Sequence, residues 1–539
     1  MSKYIFVVGG VMSGVGKGTT TASIGKILQC RGLKVAAMKI DPYINVDAGT
    51  MNPVEHGEVF VTPDGDETDM DIGAYERFLG GDMGKVNYMT TGRVYKTVIE
   101  RERALGYGGK CVEVVPHVPL EVIDRIKKCA AETKSDVLMI EVGGTVGEYQ
   151  NILFLEAARM MKHETPDDIF FALVSYVPIP PTIGEMKTKP TQYAARTVNE
   201  AGIQPDFIIC RAERALDEPR KGKLAVGCGV HEEDIFSAPD AKSIYEVPVI
   251  FEDQKLGDRL LAKLKLKEKK NTFAEYRKFV TRILSVTTPV KIAVVGKYFS
   301  TGDFVLADAY HSVIEALKHA AWFHDRKAEL SWINAEEVEK KGAAALLSGY
   351  DGILIPGGFG SRGVEGKIEA IRFAREEKIP YLGLCYGMQL AVVEFARHIL
   401  GWKDANTTEI APKTKHPVIH IMKHQVKNVA GGQYGGTMRL GAYECVLKKG
   451  TLAHKAYGAD SAIERHRHRY EFNNAFKAKL EKAGLVCSAT TPDGKLVEII
   501  ELPNHPFFLG TQAHPEFTSR PEKSQPLFRE FIKAAIAKK

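Results

Sequence analysis

Cys385 lies in the stretch LGLCYGMQ, framed by Gly383 and Gly387, between an apolar run and the helically spaced MQLAVVEFARHIL. A tight strand-to-helix turn of this kind presents its central residue as a nucleophile, the cysteine analogue of the G-x-S-x-G elbow. The flanking glycines admit the strained turn and keep side chains clear of a substrate. Further on, AHPEF sets His514 and Glu516 two residues apart, on one side of an extended segment. A histidine oriented by a carboxylate is the base that a thiol nucleophile requires. In IPGGFG, Gly357 and Gly358 form a turn after a strand-like run, where a backbone N–H can face a developing oxyanion. The N–H of Tyr386 would be the second donor.

A second constellation opens the chain. GGVMSGVGKGTT, residues 9–20, follows the apolar YIFVV and nearly spells a phosphate-binding loop. It departs twice: five residues separate Gly10 from Gly16, and Lys17 is followed by Gly18 rather than Ser or Thr. Backbone N–H groups, Lys17 and a helix N-terminus suit phosphates, and Lys39 after the next strand-like run adds a cation. Magnesium needs carboxylates nearby. Asp71 in DETDMDIGAYERF and Glu141, closing the buried strand DVLMIEVGG, occupy suitable positions. Asp71 among its acidic neighbours also fits simple helix capping. Lys187 and Lys189, in GEMKTKPTQ beside a proline-fixed turn, could cradle a triphosphate, although isolated lysines are more often plain surface charge. His466 and His468 in ERHRHRYE are explained by strand alternation, since no further ligand cluster accompanies them.

The elements that must position these residues follow from the pattern of the whole chain. At 539 residues, two or three domains are expected. Short apolar runs alternate with amphipathic stretches, which predicts α/β architecture with parallel sheets. YIFVVGG, KVAAMKI, DVLMIEVGG, IFFALVSYV and DFIICRA read as buried strands of a first domain. VKIAVVGKY, DGILIPGGFG, IPYLGLCYG and FFLGTQAHPEF, with a β-rich stretch between the last two, read as a second. The lysine-rich helical segment around 255–282 reads as a solvated connecting helix, and the boundary falls near residue 285. The basic amphipathic LFREFIKAAIAKK is expected to pack on its own domain. A net charge of +6 is small for this length and does not argue for nucleic acid. Eight scattered cysteines without a CxxC pair suit a reducing compartment and free thiols. The apolar N-terminus runs straight into the glycine loop, so it reads as a strand rather than a signal peptide. No apolar run approaches the ~18 residues of a membrane span. A cytoplasmic location with no membrane partner is expected.

The three pieces of the second half resemble the class I glutamine amidotransferase family, Cys-His-Glu glutaminases that release ammonia. The resemblance implies Cys385 as nucleophile, His514 as base and Glu516 as its orienter. It places Gly358, the turn of Tyr386, Gly387, Met388 and Gln389, Glu409 in NTTEI and Arg469 at glutamine-binding positions. In the first half, GGVMSGVGKG, KIDPYINVDAGTMNPVEHGEVFVTPDGDETDMDIGAYERF, IEVGGTVG and MKTKPTQ resemble the CTP synthase family in order and spacing.

That resemblance implies two doubly wound α/β domains. A dethiobiotin synthetase-like P-loop amidoligase covers 1–266, a linker helix region 267–288 and the amidotransferase 289–539. It implies amination of UTP to CTP, with ATP phosphorylating the uracil O4 and ammonia tunnelled from glutamine displacing the phosphate. Gly14, Val15, Gly16, Lys17, Gly18, Thr19, Lys39, Asp71 and Asp240 fall at ATP positions, and Asp71 and Glu141 at Mg²⁺ positions. Ser13, Glu148, Tyr149, Gln150, Lys187, Thr188, Lys189, Pro190, Thr191, Gln192 and Lys223 fall at UTP or CTP positions. His56 in VEHGEVF matches the ammonia entry. Mg²⁺ with ATP and no organic prosthetic group, GTP activation, CTP feedback and a homotetramer (a dimer of dimers, with filaments possible) are further implications. Three departures stand out: GEYQ at Glu148 to Gln150 where the family usually reads GDIE, the proline run in SYVPIPPTIGE, and Tyr386 where leucine is common. A cobyrinate diamide synthase would share the loop and the glutaminase half, but not the long DPYINVDAGTMNP segment. A MinD- or ParA-like ATPase switch carries a lysine earlier in its loop and has no use for Cys385.

Overall fold

The computed structural model describes residues 2–538 except 298–299, 302–303, 306, 423–424, 426–427, 429–430 and 432–434. The chain divides into two compact units, Met1–Asp47 with Asp71–Ser285, and Ala48–Met70 with Val286–Lys539.

In the first unit, seven strands form one sheet: β1 Lys3–Gly10, β2 Val35–Asp41, β3 Tyr88–Thr90, β4 Val137–Val142, β5 Ile169–Tyr176, β6 Phe207–Arg211 and β7 Ile235–Ala238. Their order is β3-β2-β4-β1-β5-β6-β7 and every pairing is parallel. The strands are near-continuous apolar runs because helices cover both faces. In such a sheet ligands gather beyond the carboxyl ends of the strands. β1 feeds the glycine loop there, and α1, Lys17–Cys30, leaves it. Register sets Glu141 opposite both Val7 and Lys39, so the acid of β4 and the lysine of β2 share one level.

The segment read as a connecting helix belongs to this first unit. Phe273–Ser285 is helical and buries Phe273, Tyr276, Val280 and Ile283. The Tyr276 hydroxyl donates to the carbonyl of Tyr245 at 2.8 Å. The segment was expected as a solvated connecting helix; its lysines mark only the exposed face of an amphipathic helix.

The second unit carries a nine-stranded sheet: β8 Pro289–Gly296, β9 Lys327–Asn334, β10 Gly352–Ile355, β11 Tyr381–Leu384, β12 Arg439–Leu447, β13 Ser461–His468, β14 Val486–Thr490, β15 Val497–Glu501 and β16 Phe508–Thr511. The order is β9-β8-β10-β11-β16-β15-β14-β12-β13. β8 to β11 and β16 pair in parallel, and the sheet continues antiparallel from β16 to β13. The C-terminal helix Pro526–Ala537 buries Leu527, Phe528, Phe531 and Ile532, as its amphipathic pattern predicts. Residues 48–70, which lie within the first domain in sequence, pack in this second unit. The Glu58 carboxylate accepts from the backbone N–H of Ser312 at 3.0 Å, and the Arg465 guanidinium donates to the Val61 carbonyl at 3.0 Å.

Candidate active site

The elbow expected at Cys385 is present. Cys385 follows β11 with φ 47 and ψ −95 and leads into helix α2, Tyr386–His398. A positive φ on a residue with a Cβ costs on the order of 1–3 kcal/mol and persists where the surroundings impose it. Here they do: a Cβ on Gly387 would meet the Ile355 carbonyl oxygen at 2.3 Å, and one on Gly383 the Tyr381 hydroxyl at 2.5 Å. The backbone N–H of Cys385 donates to the Thr511 carbonyl at 2.7 Å. The N–H of Tyr386 comes next, in the first turn of α2, where no intrahelical acceptor exists.

His514 and Glu516 follow β16, the parallel neighbour of β11, which brings them to the elbow. His514 Nδ1 and Glu516 Oε1 are 2.7 Å apart, and all three side chains are buried. Burial alone would lower the His514 pKa, but Glu516 and the Cys385 sulfur beside it raise it to about 10. Gly357 sits on the other side of the imidazole, where a Cβ would approach Cε1 to 2.7 Å. A cavity of about 490 Å³ opens on Cys385 and His514 and is lined also by Gly357, Gly358, Gln389, Glu409, Arg467 and Arg469.

Of the glutamine positions, Gly358, Gln389, Glu409 and Arg469 therefore line the cavity, whereas Tyr386, Gly387 and Met388 are not among its lining residues. The Tyr386 hydroxyl donates to the Gly360 carbonyl at 2.8 Å, the role of an aromatic where leucine is common. Sequence reasoning missed one wall: Gly49, Thr50, Met51, Pro53, Glu58 and Val59 also line the cavity. Arg467 holds that segment, donating to Glu67 at 2.8 Å and to the Gly49 carbonyl at 3.2 Å. No spacing in the sequence connects residues 48–70 with residues 385–516. His56 is half-buried near Asp69, at 3.7 Å, and is not among the lining residues. His466 and His468 are buried and face each other at 3.1 Å. Burial pushes His468 down to about 3, and no group of three or more His, Cys, Asp or Glu placed to hold a metal occurs among the described residues.

In the first unit, Lys17 is buried and donates to the Gly144 carbonyl at 2.9 Å. Lys39 Nζ donates to Glu141 at 3.0 Å and also to Asp71. The Tyr75 hydroxyl, fully buried, donates to the other oxygen of Glu141. Burial pushes the Glu141 carboxyl up, with Asp71 adding to the effect and Lys39 opposing it. Gly14 and Gly16 take φ values of 73 and 85, and Val11 reaches 78, so the loop is wound through left-handed conformations. Gly18 explains the second departure from the ordinary loop. A Cβ there would lie 2.2 Å from Asp71 Oδ1 and 3.5 Å from Glu141 Oε2. The space of the usual Ser side chain is taken by an acid from elsewhere in the chain.

The remaining positions also lie in the first unit. Ser13 is exposed on the loop, Val15 is buried, and Thr19 lies in the first turn of α1. Thr188 to Gln192 form the start of helix Lys189–Glu200, with Thr191 bonded to Ser175 at 2.9 Å. Lys187 pairs with Glu185 at 2.9 Å, and Lys223 is exposed. Glu148 and Gln150 are exposed, Tyr149 is 95% exposed, and Asp240 accepts from Arg211 at 2.5 Å.

Residues 3–266 match the family model for the CTP synthase N-terminus, and residues 305–534 that for class-I glutamine amidotransferase. The CTP synthase of Pelotomaculum thermopropionicum is 51% identical over 99% of this chain and 98% of its own length. That of Geobacillus kaustophilus is 48% identical over 99% of this chain and its full length. The chain belongs to the CTP synthase family. Among solved structures, the glutaminase domain of Trypanosoma brucei CTPS with bound acivicin is 39% identical, covering 46% of this chain and 94% of that one, with a TM-score of 0.42.

CTP synthases of this kind are glutamine-hydrolysing, ATP-dependent ligases of pyrimidine biosynthesis, and this chain is one in function. No helix among the described residues is long and apolar enough to cross a membrane.

Two outcomes follow from the geometry. Gly18→Ser, which restores the ordinary loop residue, should push Asp71 aside and lower CTP formation from either nitrogen source by roughly tenfold or more. Glutaminase turnover measured in parallel should be unchanged. Glu516→Gln should remove the carboxylate that orients His514 and lower glutamine hydrolysis by about a hundred- to ten-thousand-fold. Steady-state glutamate release measures it.

Proposed function

We propose that this chain makes CTP at two chemically separate centres. ATP phosphorylates the O4 of UTP in the first, and ammonia released from glutamine in the second displaces that phosphate. The phosphorylation is needed because ammonia does not displace hydroxide from a stable carbonyl. The observation that carries this reading is that one chain holds both a Lys17–Lys39–Asp71–Glu141 cluster at a phosphate loop and a Cys385–His514–Glu516 triad at an elbow.

In the second centre, Cys385 attacks the side-chain carbonyl of glutamine and His514 gives its proton to the departing ammonia. Glu516 holds the imidazole through Nδ1. The N–H groups of Tyr386 and Gly358 receive the oxyanion, and Gln389, Glu409 and Arg469 hold the amino acid end. In the first centre, the loop from Ser13 to Thr19 and Lys17 receive ATP phosphates, with Asp240 on the ATP side. Ser13, Lys187 to Gln192, Lys223 and the Glu148–Gln150 turn serve the pyrimidine nucleotide.

The donor set fits Mg²⁺, which is commonly held by one or two carboxylates together with substrate phosphates. Asp71 and Glu141 already share one ammonium, that of Lys39. The metal would supply neutralisation of phosphate charge, and these two residues would hold it. Ammonia leaves past the 48–70 segment, with His56 on its route. GTP activation, CTP feedback through Glu148 to Gln150, a cytoplasmic homotetramer and filament formation belong to the same reading.

A paired assay tests it. UTP and ATP are supplied with either glutamine or ammonium, and the absorbance change from UTP to CTP is followed. Both nitrogen sources should serve. Absence of CTP from both would sink the reading.

A further inference from the structure

Lys367 lies in the helix Val364–Glu376 and is 0% exposed. Its Nζ has no hydrogen-bond partner among the described residues. An ammonium buried without a partner is costly, and such groups collect where a site uses their charge. Its surroundings show which site. Nζ stands 5.1 Å from the ring centroid of Tyr386, the residue immediately after the nucleophile. A Cβ built on Gly358 would lie 3.8 Å from the same Nζ and 3.9 Å from Cδ1 of Tyr386. The Tyr386 hydroxyl in turn ties the Gly360 carbonyl at 2.8 Å.

Two other charged groups act on this point. Lys297 donates to the Phe359 carbonyl, and Glu409 accepts from the Gly360 N–H at 2.6 Å. The Gly357–Gly360 turn is thus held by Tyr386, Lys297 and Glu409, with the Lys367 ammonium beneath Gly358. His514 lies against Gly357.

We propose that Lys367 is a positioning residue for glutamine hydrolysis. Its ammonium, seated on the Tyr386 ring, braces the Gly357–Gly360 turn and adds positive potential beside the place where the oxyanion forms. This rests on the reading of Cys385, His514 and Glu516 as the glutaminase triad. A charge so placed in a dry site acts with little screening. It strengthens as negative charge develops on the carbonyl oxygen, so it favours the transition state over bound glutamine.

The same burial makes the device sensitive to pH. Burial, with Lys297 adding and Glu409 opposing, brings Lys367 down to about 7. The ammonium is present below that pH and lost above it. His514, raised to about 10, keeps its proton across the same range, so a limb near pH 7 belongs to another group.

The test follows kcat and KM for glutamine hydrolysis by the full chain, with ATP and UTP present, from pH 5.5 to 9.5. The wild type should fall by roughly tenfold, less than the loss of an oxyanion donor, as pH rises through about 7. Lys367→Met should sit on the lower plateau at every pH, with KM little changed. Lys367→Arg, which stays charged, should restore turnover and abolish the limb. Thermal unfolding reports whether each variant folds, and ammonium-dependent CTP formation whether the first centre is intact.

A Lys367→Met enzyme with wild-type turnover and an intact limb overturns the proposal. If that variant loses ammonium-dependent activity as well, Lys367→Arg decides, because a limb that survives in it belongs to another group. Cys385→Ala is run alongside. Glutamine hydrolysis surviving in that variant would overturn the triad reading itself, separately from Lys367.

Discussion

Cys385→Ala is expected to abolish CTP formation from glutamine, by about ten-thousand-fold or more, the scale on which loss of a nucleophile is felt. Formation from ammonium should stay within roughly twofold of the wild type, because sites without shared partners respond independently. The elbow supports the first half of this expectation. Its φ of 47, the close approach of Gly387 to the Ile355 carbonyl and the engagement of the Cys385 N–H with Thr511 all serve to present one sulfur atom. Alanine keeps that backbone and removes only the sulfur. Assays with both nitrogen sources, on one preparation, measure the split. Equal failure with both would mean that the two-centre assignment is wrong.

Lys17→Ala should produce the opposite pattern. CTP formation should fall by about a hundredfold or more from either nitrogen source, since a buried cation beside the phosphates stabilises charge as it develops. Basal glutamine hydrolysis should persist. Lys17 is buried at the start of α1, and burial lowers its pKa while Glu141 opposes the effect. Its ammonium is therefore held largely out of solvent, where it donates to the Gly144 carbonyl. A variant that lost glutaminase turnover as well would point to a structural role for this lysine.

Much of this arrangement was legible from residue order alone. Strands buried on both faces must be apolar throughout, so YIFVVGG and DVLMIEVGG identified themselves, and Glu141 stood out as the acid ending one. The grouping of Cys385, His514 and Glu516 was legible because Cys385 carries its elbow in its neighbours and Glu516 lies two residues from His514. What stayed hidden depends on long-range packing. Lys367 in VEGKIEAIRF looks like any helical lysine, and only the fold shows it under Tyr386. Gly18 departs from the ordinary loop for a reason only the fold shows, since Asp71 occupies the space a side chain would need. Tyr75 bonds Glu141 from a position with no motif to mark it. The antiparallel half of the second sheet was visible only as a β-rich stretch, since pairing partners are not written in local composition.

The pocket around Cys385 is discontinuous along the chain. Its wall from Gly49 to Val59 is encoded more than two hundred residues before the first strand of the sheet that carries the nucleophile. A polypeptide begun at residue 286 would therefore keep Cys385, His514 and Glu516 and lack one wall of the cavity beside them. A recombinant glutaminase grafted from this chain keeps that wall of its cavity only if residues 48–70 come with it, as a second piece.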